Sequence, residues 1–453
     1  MGLLKKRAQF RYEKMLYPLL TFSLVLILIG LCVDGPAAVA QGLKRIVTSQ
    51  DVLITDYMEI AGPGAALVNA GLVTLVSLFL LYVSADPFNG FTLVTVGLMA
   101  GFSLFGKNIA NIWPVLLGTF LYARIKAEPF GKYVNVALLA TALSPLVSFM
   151  ALSGRQDRFW LGTLAGITIG FLIPPLSAYT FQAQNGMNLY NVGFACGLLA
   201  MMLVPVLKTF GMEPETAYFW ATEYNLPVGI GVAGVCAGLI CAGAVGWGKK
   251  AFRGYYAMLH TSGRAPSDYL RAFGPGPVLI NMGVNGLLAM GYILLIGGDL
   301  NGPTLGGILT IMGFSAYGKH AANILPVMLG VLLGSVINHV STTAAGLQLA
   351  GLFGTTLAPF SGVFGWPYGV LAGFIHSSVV LHAGLPLEGM NLYNNGFSGG
   401  LIAMVLYPVL TALVRHRKPV FQDEEYYDAF EMDEPLGEDD LDAHQYDDTP
   451  MPR

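Results

Sequence analysis

Apolar runs approaching membrane-spanning length recur along the whole chain, punctuated by short blocks of glycine, proline and asparagine. Read as helices, they predict seven spans over residues 16–33, 65–83, 90–105, 109–125, 134–152, 160–178 and 187–207. A second set of seven is predicted over 228–247, 277–296, 302–317, 321–337, 345–360, 366–382 and 390–412. Several of these hold only 15–18 residues, short of the roughly 20 that a straight span requires. The short pairs around Lys107 and Lys319 are therefore expected to be broken or re-entrant helices.

The two sets are copies. GFSLFGKNIANIWPVLLG (101–118) returns as GFSAYGKHAANILPVMLG (313–330), ungapped at an offset of 212 and identical at 12 of 18 positions. GMNLYNVGFACGLLAMMLVPVL (186–207) returns as GMNLYNNGFSGGLIAMVLYPVL (389–410), offset by 203 and identical at 16 of 22. GPGAALVNAGL (62–72) and GPGPVLINMGV (274–284) form a third pair at 212. Duplicated halves with breaks at matching places predict a transporter or channel whose site lies between the halves.

Composition agrees, with 54% hydrophobic and 11% charged residues against about 25% charged in soluble domains. The net charge of −3 hides an asymmetry. Residues 1–418 carry 23 Lys/Arg against 14 Asp/Glu, and the other 13 acids sit in the last 35 positions. The basic start (Lys5, Lys6, Arg7, Arg11, Lys14), the apolar 16–33 run and Ala38-Val39-Ala40 imitate a secretory signal peptide. The run is long for that role, and the matching run 228–245 lies 212 residues on, so it is read as a retained first span.

Lysine and arginine place the N-terminus, the Lys249–Arg271 loop and the Arg415–Lys418 cluster on the cytoplasmic side. An odd number of crossings per half follows, so the halves are expected to be antiparallel, an inverted repeat. Seven crossings per half satisfy the charges, as do five plus re-entrant segments. The expected organisation is repeat one at 1–212, an extracytoplasmic connector at 213–225, repeat two at 226–418 and a disordered acidic cytoplasmic tail at 419–453. The expected location is the cell membrane. Cys32, Cys196, Cys236 and Cys241 lie in apolar runs without CxxC spacing and are read as reduced packing residues.

Two blocks carry the candidate chemistry. Lys107 and Lys319 follow glycines that permit a helix break, and a lysine at membrane depth is costly unless it faces a cavity. His320 stands where Asn108 stands in the first copy, while Asn111 and Asn323 are expected to bond freed carbonyls or solute. In GMNLYN, Asn188, Tyr190 and Asn191 match Asn391, Tyr393 and Asn394, and amides that donate and accept suit a small polar solute. Glu388, opposite Asn185, is a candidate for proton coupling. His376 and His382 lie six apart, a poor spacing for a shared metal. Ser398 lies in a G-x-S-x-G pattern, which also fits the G-x-S-G of rhomboid-type intramembrane proteases, but its counterpart is Ala195.

Leu189-Tyr190-Asn191-Val192-Gly193 and Leu392-Tyr393-Asn394-Asn395-Gly396, with Asp86-Pro87-Phe88-Asn89-Gly90-Phe91 and Asn301-Gly302-Pro303, resemble segments of the urea-transporter group. More closely, the core as a whole resembles a family of bacterial polytopic membrane proteins of unknown function, which implies the architecture and leaves the substrate open. Inverted seven-plus-seven repeats also occur in nucleobase and anion transporters, an analogy of architecture alone. The expected function is a transporter or channel for a small polar or anionic solute, with the bilayer as partner. It invokes no cofactor and no nucleic acid, and leaves a homo-oligomer open. The alternatives are an intramembrane serine hydrolase using Ser398 and a membrane scaffold acting through its acidic tail.

Overall fold

A computed structural model describes residues 2–84, 88–152, 159–214 and 217–414, with side chains from Met15 onward. Asp86, Pro87, Glu215, the cluster Arg415–Lys418 and the tail 419–453 lie outside the described residues, as do the basic side chains before Met15. Helices come in two series of ten. The first opens with α1 (Gly2–Asp34), α2 (Pro36–Val47), α3 (Tyr57–Ala61), α4 (Pro63–Val83) and α5 (Gly90–Phe102). It continues with α6 (Trp113–Ile125), α7 (Val134–Ala140), α8 (Ser144–Leu152), α9 (Phe159–Gln184) and α10 (Asn191–Thr209). The second opens with α11 (Asn225–Trp247), α12 (Lys249–Met258), α13 (Tyr269–Phe273), α14 (Pro275–Leu295) and α15 (Gly302–Phe314). It closes with α16 (Ala321–Ile337), α17 (Ala345–Phe353), α18 (Ala358–Phe364), α19 (Trp366–Ala383) and α20 (Asn394–Leu413).

Among the described residues there is no β-strand, and ten helical stretches are long and apolar enough to cross a membrane, five in each series. The chain is a polytopic helical membrane protein. The two short helices α5 and α6 have 13 residues each, about 20 Å at 1.5 Å per residue, against a hydrocarbon core of about 30 Å. Each half thus holds five long apolar segments and a shorter pair, α5 with α6 and α15 with α16. The α7–α8 and α17–α18 segments are 78% and 83% buried, whereas those of α1 and α11 are 11% and 17% buried. Their large exposed side chains (Leu24, Leu28, Ile230, Val245) form an outer apolar face suited to lipid. Cys196 and Cys236 are buried as expected, but Cys32 and Cys241 are exposed on this outer layer.

Each half breaks its helices at three matching places. After α5 and α15 the chain turns at Gly106 (φ 99°) and Gly318 (φ 92°), a backbone region that a β-carbon disfavours. Between α7 and α8, and between α17 and α18, a 3-10 turn precedes Pro145 and Pro359, whose rings cannot donate to the preceding turn. After α9, Asn185 and Gly186 are both left-handed, and Glu388 and Gly389 repeat this after α19. Two consecutive residues with positive φ cannot continue a right-handed helix.

The halves grip one another through glycine. A β-carbon on Gly97 would fall 2.7 Å from Leu309 O, one on Gly101 2.7 Å from Gly306 O, and one on Gly313 2.9 Å from Leu93 O. These contacts make α5 and α15, which hold equivalent places in the two series, run antiparallel with their backbones in contact. Asp268 caps α13 and also accepts the N–H of Gly90 at the start of α5, both oxygens at 3.1 Å. Asp56 caps α3 and bonds Gly302 at the start of α15 in the same way. Each half thus places a carboxylate at the positive end of the other half's short helix.

Overpacking the α5–α15 crossing tests this grip. Gly101→Leu should lower stability in detergent by about 1–3 kcal/mol. Gly231→Leu, on an α11 face with nothing within 4 Å, should leave the unfolding midpoint unchanged. Equal midpoint shifts in the two variants would refute the close crossing.

Candidate functional site

Both sequence-predicted lysines are fully buried, and each reaches out of its own half. Lys107 Nζ donates to Tyr393 Oη at 2.6 Å and approaches Met99 Sδ at 3.4 Å. Lys319 Nζ donates to Tyr190 Oη and to Thr355 Oγ1, the latter at 2.7 Å. The breaks that carry the lysines are thereby joined crosswise to the two GMNLYN blocks. Each ammonium also lies against rings: Lys107 is 4.8 Å from the centroid of Tyr393 and 5.6 Å from that of Phe102. Lys319 is 4.4 Å from Tyr190 and 5.1 Å from Phe314, distances at which a ring face attracts a cation. Among the described residues neither lysine has an acidic partner.

The backbone at these breaks is held from within each half. Asn69 on α4 donates to the carbonyls of Ser103 and Lys107 at 2.7 and 2.9 Å, and Asn281 on α14 does the same for Ser315 and Lys319 at 2.7 Å. Asn111 and Asn323 donate to the carbonyls of Gly106 and Gly318 at 3.0 and 2.8 Å, so both serve the freed backbone. His320 Nε2 lies 3.0 Å from Thr261 O, with Nδ1 unpartnered.

The GMNLYN blocks also trade bonds across the halves. Asn188 donates to Gly396 O at 3.1 Å, and Asn391 Nδ2 lies 3.5 Å from Gly193 O. Leu189 N–H bonds Thr356 O at 3.1 Å, while Leu392 N–H bonds Ala142 O at 3.0 Å, the matching turn of the first half. Between them is a small pocket lined by Leu98, Phe102, Tyr190, Phe353, Leu392, Tyr393, Asn395 and Gly396, with room for about one water-sized molecule. Phe353 bridges it, 5.2 Å from Phe102 and 6.4 Å from Tyr190 between ring centroids.

Other candidates are not at this centre. Asn191 spends its amide on Ser177 and accepts from Thr180 within its own half. Asn394 Oδ1 is buried without a partner. Glu388 forms an ion pair with Lys208 and is partly exposed, one oxygen unpartnered. Ser398 Oγ is buried and makes no hydrogen bond, and no group of three metal-ligating side chains occurs among the described residues.

Sequence reasoning missed the threonines Thr355 and Thr356, which sit at the second break, and it missed Asp51. The Asp51 carboxylate, 1% exposed, accepts from Tyr57 Oη and Ser148 Oγ at 2.6 Å each, Asn108 Nδ2 at 2.9 Å and Asn111 Nδ2 at 3.1 Å. In the second half the equivalent residue is Gly263, where a β-carbon would fall 2.0 Å from Gly318 O. No side chain fits there, so the acid belongs to one half only. The TDY and SDY triplets around Asp56 and Asp268, again 212 apart, were the available signal that the segment holding Asp51 belongs to the repeat.

Asp51→Ala strands the buried donors of Tyr57, Ser148 and Asn108, while Asn111 keeps Gly106 O and Ser148 Oγ. Each unsatisfied buried group costs about 1–3 kcal/mol, so the variant should lose several kcal/mol in a reversible detergent unfolding measurement. Glu388→Ala removes a partly exposed pair worth at most about 1 kcal/mol. A smaller loss for Asp51→Ala than for Glu388→Ala would contradict the network.

Comparisons with known proteins bear on the family and not on the solute. No curated protein and no solved structure matches the chain, and nothing supports the urea-transporter resemblance. A family model described as a protein of unknown function, DUF1576, matches residues 36–209 and 248–412. Those stretches run from the first residue of α2 to the last of α10, and from the residue before α12 into α20. With well over half its length matched, the chain belongs to the DUF1576 family of proteins of unknown function.

Proposed function

We propose that the chain is an integral membrane transporter or channel that binds a small polar or anionic solute between its two halves. One observation carries the reading: two fully buried lysines without acidic partners, each bonded to a tyrosine of the opposite half. A buried ammonium without a counter-charge is costly, and a solute that supplies negative charge or strong acceptors offsets that cost. The site stands at broken helices beside a pocket, which is where membrane proteins tolerate irregular backbone. Tyr190 and Tyr393, which bond the lysines, line this pocket, and Asn188 and Asn391 hold the blocks in register. Glu388, ion-paired with Lys208, is the candidate for coupling.

The antiparallel run of α5 and α15 supports an inverted arrangement of the halves across the bilayer. Lysine and arginine placement supports cytoplasmic termini in a cell membrane. Removing a hydrogen bond to a charged group costs about 1.5–3 kcal/mol, or roughly tenfold to a hundredfold in affinity. In proteoliposomes screened with small radiolabelled anions and neutral polar solutes, Lys107→Ala and Lys319→Ala should cut uptake at least tenfold while the protein stays folded. Folded variants moving their solute at the wild-type rate would sink the assignment.

A further inference from the structure

The two halves carry an equivalent helix that is matched on its inner face and different on its outer face. At the repeat offset of 212, residues 37–46 of α2 match 249–258 of α12. Inward, Val39, Gly42 and Ile46 stand against Ala251, Gly254 and Met258. A β-carbon on Gly42 would fall 2.4 Å from Ala65, and one on Gly254 2.6 Å from Pro277, the residue that matches Ala65. Outward, Ala37, Ala38, Ala40 and Gln41 give way to Lys249, Lys250, Phe252 and Arg253, and all eight are exposed. Packing constrains the inner face alone, so the fold does not require two lysines and a phenylalanine on α12.

We propose that the outer face of α12 is a docking surface for anionic phospholipid, with its lysines on the headgroup phosphate and its rings at the glycerol level. At about 100° per residue, Phe252, Tyr256, Lys249 and Arg253 fall in that order on one arc of about 100°, with Lys250 beyond it. Rings take one edge and bases the other, the layout of a helix lying in a membrane interface. The surroundings place it there. Gly248 (φ 55°) turns the chain out of α11, whose exposed Ile230 and Val245 belong to the outer apolar face. Trp247, the last residue of α11, is exposed and adds a third ring beside Phe252 and Tyr256. α12 contains no acidic residue, and among the described residues neither Lys249 nor Lys250 has an acidic partner. Near an anionic surface each such base is worth about fivefold in affinity. A zwitterionic lipid offers the same phosphate with its charge cancelled. The matching α2 has bases of its own, Lys44 and Arg45, but no aromatic residue. The surface shares no residue with the central pocket and does not depend on the transport reading.

Native mass spectrometry of the purified full-length protein reads the preference, with dioleoyl phosphatidylglycerol and dioleoyl phosphatidylcholine supplied in equal amounts. The wild type should retain phosphatidylglycerol over phosphatidylcholine by roughly tenfold or more. Lys249→Ala with Lys250→Ala, which installs the first half's residues, should bring the two lipids near parity without lowering the melting temperature. Phe252→Ala should weaken retention of both lipids alike. Lys44→Ala with Arg45→Ala should leave the preference as in the wild type. A wild type without preference overturns the proposal, as does a Lys249/Lys250 variant that keeps it, or an equal loss in the Lys44/Arg45 variant. A wild-type dimer that becomes a monomer in Phe252→Ala, with lipid retention unchanged, would assign the face to a second copy and overturn it too.

Discussion

The constraint on which the rest of the structure depends is that each half's buried lysine is hydrogen-bonded to a tyrosine of the other half. Lys107 finds its oxygen on Tyr393 across the boundary, and Lys319 finds one on Tyr190 across it and a second on Thr355 of its own half. In hydrocarbon the alternative for an ammonium is a heavy desolvation cost. The halves therefore close on each other at the tyrosines, and everything at the centre is arranged to let them. The glycines Gly97, Gly101 and Gly313 bring α5 and α15 to backbone contact, and Gly193 meets Gly396 where α10 and α20 begin.

Such closeness requires broken helices, and broken helices expose backbone groups that the bilayer cannot hydrate. The fold answers several of them with named side chains. Asn69 and Asn281 take the carbonyls at the lysines, Asn111 and Asn323 those of the preceding glycines. Asp56 and Asp268 take N–H groups of the opposite half. Against this two-fold background the exceptions stand out: Asp51 against Gly263, and His376 with Asn395 against Ile173 with Val192. They sit on opposite halves.

The pairing of the halves was legible because it is written in identities: GKN and GKH, GMNLYN twice, each at constant offset. The glycine breaks were legible too, since Gly106 and Gly318 do what a glycine before a costly lysine suggests. The partners were not. Nothing local in Lys107 points to Tyr393, 286 residues away, and periodicity carries no information about which hydroxyl meets which amine. Asp51 lay in a polar segment between apolar runs, where a solvated loop is the ordinary expectation, and only the fold over it makes it a buried hub. The partners of Asn191 and Glu388 were hidden in the same way: Asn191 bonds Ser177 on the preceding helix, and Glu388 pairs with Lys208 of the first half.

The crosswise lysine–tyrosine bond is tested most directly by a double-mutant cycle. Lys107→Met, Tyr393→Phe and the double variant are unfolded reversibly in mixed micelles, alongside the Lys319/Tyr190 set. A direct charge-assisted bond predicts a coupling energy of about 1 kcal/mol or more in each cycle. Additivity within about 0.5 kcal/mol in both would show that the lysines do not depend on the opposite half, and the central claim would fall.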